Sequence, residues 1–422
     1  MDWLIGIFAS LEQNPLYIAL LVFFGFYPVI SSILWIVTAV NFYIRRERRG
    51  AIQFYFTDTT PLVSVLIPAY CEGRIIRKTL SGVLGMNYPS FEVVVVDDAS
   101  IDDTVEQIAD LVEEGKVRLI RKLRNEGKAM ALNDALPCLN GELVLIMDAD
   151  AYPDRYLLRW LVPHFQSPRV AGVTGNPKVA NRESFLAKLQ VIEFTSIVSL
   201  LKRAQRVWGR ILTMSGVVGM FRKSALFDVG LFSPEMATED IDISWRLQKR
   251  AYDIRYESRA LVYMQVPPTF ARLWRQRVRW AKGLAQILRR HRDVMTSPRY
   301  RRLWPVYLEA SLSVTWAYLA ILLFAFWIIS YAVGYLPFGI SPIPQWWGML
   351  IATLCLLQLL TGVLLERRYD REVFEYFPIA VFYPAFYWTM MAFITTLTTP
   401  LGFFGSMASG RLTRWRTKRD QF

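Results

Sequence analysis

Carboxylates, one lysine and one basic helix supply the residues able to do chemistry in this chain. Asp148-Ala149-Asp150 closes an apolar run, ELVLIM, at 142–147. Two carboxylates at i and i+2 on a strand end can share one hard divalent cation. Mg2+ typically takes one or two carboxylates, with substrate phosphates completing its shell, so a nucleoside diphosphate would finish the site. A turn with two exposed aspartates is the plain alternative. Thr238-Glu239-Asp240, with Asp242 behind it, offers a catalytic base beside a metal-bound substrate, or an N-cap for a helix over Ile241–Gln248. Asp97-Asp98-Ala99-Ser100 ends another apolar run, where a carboxylate can accept the N–H of a uracil ring or cap a helix. Gln276, Arg279 and Trp280 fall at i, i+3 and i+4 on one helical patch. Amide, guanidinium and indole there suit a pyrophosphate and a sugar ring, and an interfacial helix with an anchoring Trp reads the same way. Lys128, just after Gly127, can hold phosphate or be solvated. His164 and His291 are the two histidines, and Cys71, Cys138 and Cys355 lack CxxC spacing. Imidazole-metal chemistry, a His triad and a thiolate zinc site are therefore disfavoured.

Strand-like runs alternate with amphipathic stretches around these residues. VSVLIPAY (63–70) precedes a helix over Ile75–Leu84, and EVVVVDD (92–98) precedes one opened by a capping box at Ser100–Asp103. KVRLIRK (116–122) precedes a helix over Lys128–Leu136, then ELVLIMDAD (142–150) follows. Continuous Val/Ile runs suit parallel strands buried on both faces, so the pattern predicts an α/β, doubly wound domain. Ligands bind such sheets at the carboxyl ends of strands, where the acidic clusters lie.

The 422 residues are 53% hydrophobic with a mean hydropathy of +0.25, which indicates an integral membrane protein. Residues 15–44 carry no charge and exceed the roughly 20 residues a spanning helix needs. Arg45, Arg46, Arg48 and Arg49 follow at once, which puts the N-terminus outside and the next block in the cytoplasm. Later apolar tracts cover Trp304–Tyr335 (interrupted by Glu309), Trp346–Leu365 and Phe377–Thr399. The expected division is an interfacial segment 1–14, a transmembrane helix 15–45, a cytoplasmic block 46–270, amphipathic interfacial helices 271–303, a transmembrane bundle 304–407 and a basic tail 408–422. One span before the block and three after it would strand that tail outside, unless the last tract folds back as a hairpin. Residues 272–302 hold eleven Lys/Arg against one Asp within a net charge of +13. Their position beside a membrane tract favours a helix on an anionic leaflet over a nucleic-acid surface. Leu273, Trp280, Leu284, Ile287 and Leu288 form its apolar face.

Taken in order, PAYCE (68–72), DDAS (97–100), NEGKAMAL (125–132), DAD (148–150), TED (238–240) and QRVRW (276–280) resemble the processive family 2 glycosyltransferases. These are the membrane synthases of cellulose, chitin, hyaluronan and poly-N-acetylglucosamine. VTGNPKV, SLLKRAQRVWG, TEDIDISWRLQ and QRVRWAKGLAQ are most similar to the branch that makes β-1,6-linked poly-N-acetylglucosamine of biofilms, and the likeness spans roughly residues 15–420. The resemblance implies a GT-A (Rossmann-like) domain fused to a helical bundle in the bacterial inner membrane, UDP-GlcNAc as donor, a growing polysaccharide as acceptor, and Mg2+ or Mn2+. It implies that Tyr70, Glu72, Asp97 and Asp98 line the uridine site and that Lys128 approaches the nucleotide. Asp148 and Asp150 would hold the metal and the UDP-sugar. Asp240, with Glu239 beside it, would be the general base of an inverting transfer. Gln276, Arg279 and Trp280 would cover the pyrophosphate and stack on the acceptor at the mouth of a pore lined by aromatics such as Trp316, Trp327 and Trp388. A small accessory membrane protein, and cyclic di-GMP at an interface with it, are further implied partners. The sequence departs from the family pattern at Cys71, where Asn is usual, and at Ala99, where Gly is usual. Competing readings are a synthase of hyaluronan, chitin or cellulose type, and a non-catalytic membrane transporter.

Overall fold

A computed structural model describes residues 2–48, 60–337 and 346–405. The chain enters through α1 (Asp2–Glu12) and α2 (Pro15–Phe42). Then come β1 (Val63–Ala69), α3 (Gly73–Leu84), β2 (Phe91–Asp97), β3 (Arg118–Arg121), α4 (Lys128–Ala135) and β4 (Leu143–Met147). A second half holds β5 (Ala151–Pro153), β6 (Val170–Val179), α5 (Phe185–Glu193), α6 (Ser199–Trp208), β7 (Val218–Arg222), α7 (Glu239–Lys249), β8 (Asp253–Met264) and α8 (Phe270–Arg290). The described chain ends in α9 (Trp304–Ala332), α10 (Trp346–Glu366) and α11 (Thr389–Phe403).

The strands form one sheet in the order β3-β2-β1-β4-β7-β6-β8-β5. β3, β2, β1 and β4 are parallel, with Val63 beside Phe91 on one side and Leu143 on the other. Every residue of β1 is buried because both faces are covered. Val63, Val65 and Ile67 meet Ile76, Leu80 and Val83 of α3, and Leu66 packs with Ala131, Leu132 and Ala135 of α4. The doubly wound expectation holds for this half only. β7 runs antiparallel to both β4 and β6, so the sheet is mixed. Strand direction leaves no mark in the hydrophobic pattern of VGMFR, which explains why β7 was not anticipated. The capping-box helix after β2 is also corrected: no regular helix begins until Ala109, after one turn at Glu106–Ile108. The polar side chains of that stretch bind the loop after β1 instead. Ser100 Oγ accepts from the Cys71 N–H at 2.9 Å, Asp102 from Gly73 at 3.1 Å, and Thr104 Oγ1 from Glu72 at 2.8 Å.

Among the described residues, three helical stretches are long and apolar enough to cross a membrane: Pro15–Arg48, Pro298–Ala332 and Gly348–Glu366. α1 packs at the far end of α9, with Phe8 edge-on to Phe326 at 5.2 Å and Tyr335 donating to Glu12 at 2.8 Å. The last apolar tract is bent by 68° between Arg371–Val381 and Tyr383–Phe403. Its second arm touches α5 near one end and α8 at the other. Tyr387 donates to Glu193 at 2.5 Å, and the Gly405 carbonyl accepts from Arg289 at 2.8 Å. The second arm runs alongside α8. The tail 408–422 lies outside the described residues.

Candidate active site

One cavity of about 1900 Å³ opens at the carboxyl ends of β1 and β4 and continues between the membrane helices. Tyr70, Glu72 and Arg74 after β1, and Ile101 to Asp103 after β2, supply one part of its wall. Lys128, Asp148, Asp150, Glu239 and Asp240 supply a second, and Gln276, Arg279 and Trp280 of α8 a third. Tyr27 and Trp35 of α2, Trp316 of α9, and Trp388 with Thr395 close it among apolar helices. Trp316 and Trp388 stand edge-on at 6.1 Å, whereas Trp327 stacks on Tyr331 and stays off the wall.

Ten of the twelve anticipated residues thus share one wall, and Asp97 and Asp98 do not reach it. Both are buried beneath it and accept backbone N–H groups. Asp97 takes Ser100 N–H at 3.2 Å; Asp98 takes Glu126 at 3.1 Å and Gly127 at 2.7 Å. A buried carboxylate demands such donors, and here they fix the loop that presents Lys128. The two departures from the family pattern flank this region. Cys71 and Ala99 both adopt the left-handed conformation, at φ 56° and 62°, where the usual Asn and Gly are less strained.

Lys128 is the hub of the acidic centre. Its Nζ donates to Asp148 at 2.6 Å and to the Gly216 carbonyl at 3.2 Å, and lies 3.7 Å from Glu239. Burial works against its charge, but Asp148 and Glu239 outweigh that and raise its pKa above the ordinary lysine value. Burial, with Glu239 adding to it, pushes the Asp240 carboxyl up to about 6, against Lys128 and Arg279. The Asp148 turn is held by Thr79 of α3, whose hydroxyl donates to the Ala149 carbonyl at 2.6 Å. The loop before α7 is held from α8: Gln286 accepts from Ala237 N–H at 3.0 Å and Arg279 donates to the Ala237 carbonyl at 3.1 Å. Behind Asp240, Asp242 is fully buried and accepts from Ser233 at 2.7 Å and Arg246 at 2.7 Å; it lies 3.0 Å from the His291 ring. Burial disfavours its charge, yet His291, Arg246 and Arg290 hold it well below the carboxylate range. Asp242 is therefore structural, tying α7 to the end of α8.

Sequence reasoning gave Lys202 no role. It lies on the cavity wall, buried, with Nζ 3.3 Å from Thr174 Oγ1, and burial lowers it to about 7 despite Asp240 nearby. Its signal was a lysine set among the apolar residues of SLLKRAQ. No group of three or more His, Cys, Asp or Glu side chains is arranged to hold a metal among the described residues. Asp148 and Asp150 on one turn, both facing the cavity, fit a cation whose remaining ligands come from a diphosphate.

A GT-A-like mixed sheet with these carboxylates at its strand ends, joined to apolar helices, defines a membrane-associated glycosyltransferase. Residues 60–283 match the family model described as glycosyltransferase like family 2. The chain belongs to glycosyltransferase family 2. It is 33% identical to a poly-beta-1,6-N-acetyl-D-glucosamine synthase of Staphylococcus epidermidis over 385 residues, 90% of this chain and 93% of that one. A synthase of the same name from Staphylococcus aureus (strain COL) is 37% identical over 307 residues, 71% of this chain and 74% of the relative. Among solved structures, a mannosyltransferase of Pyrobaculum calidifontis in complex with GDP-Man and Mn2+ superposes with a TM-score of 0.58. It shares 21% identity and covers 89% of this chain and 99% of its own, a likeness of fold.

Proposed function

We propose that this chain is a processive, inverting synthase that polymerises N-acetylglucosamine from UDP-GlcNAc into a β-1,6-linked polymer and passes it into the membrane. The observation that carries this reading is the single cavity shared by the acidic centre and the membrane helices. The choice of sugar and linkage rests on the synthase relatives.

Asp240 acts as the base for the acceptor hydroxyl, its raised pKa matching a proton it must take near neutrality. Burial and Glu239 raise that value, and Lys128 and Arg279 oppose them. Arg279 faces the departing diphosphate, and its charge with that of Lys128 lowers the cost of the leaving group. Asp148 and Asp150 would hold Mg2+ or Mn2+, which neutralises diphosphate charge when bound. No general acid is needed, because the diphosphate leaves as an anion. Trp280 offers an apolar face to the acceptor sugar, and Trp316 and Trp388 extend that surface along the chain's path.

A sidedness follows from the same reading. α2, α9 and α10 cross, the arms around the 68° bend do not, and the catalytic block faces the cytoplasm of a bacterial inner membrane. In intact cells an impermeant thiol reagent should label Trp3→Cys and spare Glu372→Cys; the reverse pattern sinks the topology. The functional test is UDP release by the full chain in lipid with Mg2+ or Mn2+. UDP-GlcNAc, UDP-glucose and UDP-glucuronate are offered in turn, beside Asp240→Asn. Turnover of UDP-GlcNAc alone, lost in the variant, is expected. Turnover of another donor would overturn the product, and turnover surviving in Asp240→Asn would overturn the base.

A further inference from the structure

Arg277 sits inside QRVRW yet takes no part in the cavity wall, where its neighbours Gln276, Arg279 and Trp280 stand. It is 1% exposed. Its guanidinium carbon lies 4.0 Å from the centre of the Trp280 ring and 5.5 Å from that of Tyr387. Nη2 donates to Glu193 Oε2 at 2.6 Å, and the Tyr387 hydroxyl donates to the same oxygen at 2.5 Å. Tyr383 stacks on Tyr387 at 4.8 Å and 11°. Three separate pieces of chain therefore meet behind one indole: the last residue of α5, the middle of α8, and the turn leading into α11.

A buried guanidinium is tolerated only when its charge is paired, which Glu193 does. A planar cation lying on an indole face also restricts that ring, through cation–π attraction that strengthens away from water. Trp280 lines the cavity and Arg277 does not, so the guanidinium supports the ring from behind and leaves its other side for a ligand. Tyr387 directly precedes Trp388, a second ring of the cavity wall, so the same cluster references both rings to α8.

We propose that Arg277, held by Glu193 and Tyr387, is a positioning residue that fixes the Trp280 indole for the acceptor, a neutral chain of N-acetylhexosamine. This rests on the reading that Trp280 meets the acceptor sugar. A plain structural ion pair makes a different prediction, because Arg277→Lys keeps the charge pair with Glu193 and loses the flat contact with the indole. UDP release by the full chain in lipid is measured against the concentration of β-1,6-linked N-acetylglucosamine oligomers, at saturating UDP-GlcNAc. Arg277→Lys is expected to raise the oligomer concentration for half-maximal rate about tenfold. The KM for UDP-GlcNAc should stay within about twofold, and the rate of thermal inactivation should match the parent. Glu193→Gln should shift the same parameter in the same direction, which keeps the test available if Arg277→Lys does not accumulate. An unchanged acceptor requirement in both variants, with Trp280→Ala raising it, overturns the positioning role alone. An unchanged requirement in Trp280→Ala overturns the underlying reading whatever the other variants do.

Discussion

Burial and Glu239 hold the Asp240 carboxyl near 6, while Lys128 and Arg279 pull it down, and Lys202, itself brought to about 7, adds a charge that is partial at neutrality. As the proposed base, Asp240 would work only when deprotonated, so kcat/KM should rise as pH increases through about 6 and flatten above it. Asp240→Asn should lose that limb along with about 10²- to 10⁴-fold of the rate; a limb surviving in the variant would assign it to another group. A second residue-scale prediction comes from Ala99, whose left-handed φ of 62° costs an L-residue about 1 kcal/mol. Ala99→Gly should slow thermal inactivation without altering turnover, and faster inactivation would contradict the strain argument. In the sequence, Ala99 and Cys71 were legible only as departures that keep the carboxylates. That both fall on left-handed positions needed the backbone. Asp98 shows the same boundary: a carboxylate at a strand end reads as facing ligand. The N–H donors that claim it come from Glu126 and Gly127, 28 and 29 residues away.

At the scale of elements, α8 organises the site. Gly283 lets it approach the loop before α7 so closely that a Cβ there would lie 2.4 Å from the Thr238 side chain. Gly402 does the same for α11, where a Cβ would lie 2.5 Å from the Lys282 carbonyl. Thr238 is β-branched and buried, so it has little room to yield. Gly283→Ala should displace the Glu239-Asp240 turn and cut kcat by about tenfold to a hundredfold, since a shift near 1 Å suffices. Unaltered kcat with normal accumulation would show that the turn tolerates the shift. The apolar period of α8 was legible, and Leu273, Ile287 and Leu288 on that face are buried against the rest of the chain. Arg277, Ala281, Gly283, Ala285 and Gln286 are buried as well, because α5, the loop before α7 and α11 enclose the helix. A period reports one buried face; it carries no information about partners arriving on the others.

At the scale of the molecule, a buried ion cluster joins the membrane helices to the sheet. Glu366, at the end of α10, accepts from Arg203 at 2.5 Å and pairs with Lys178 of β6. Arg203 also donates to Glu47 at 2.7 Å, just past α2. These partners are 156 to 188 residues apart, so the apolar helices and the strands were legible in the sequence but not how they lock together. The lock ties the wall that carries the carboxylates to the helices that carry the aromatic rings, and the proposed passage of the product would depend on that continuity. Ala317 of α9 lines the cavity beside Trp316, whereas Leu322 is 64% exposed on the same helix. A tryptophan at Ala317 adds bulk to the path without touching the acidic centre; a tryptophan at Leu322 adds an indole at the lipid-facing surface. Ala317→Trp should therefore spare UDP release with short acceptor oligomers while reducing long polymer about tenfold or more, as a large side chain in a packed wall leaves little passage. Leu322→Trp should leave both unchanged. If Ala317→Trp lowers short-oligomer turnover and polymer length equally, the cavity among the helices is part of the reaction chamber and not a path beyond it. If it lowers neither, the polymer leaves by another route.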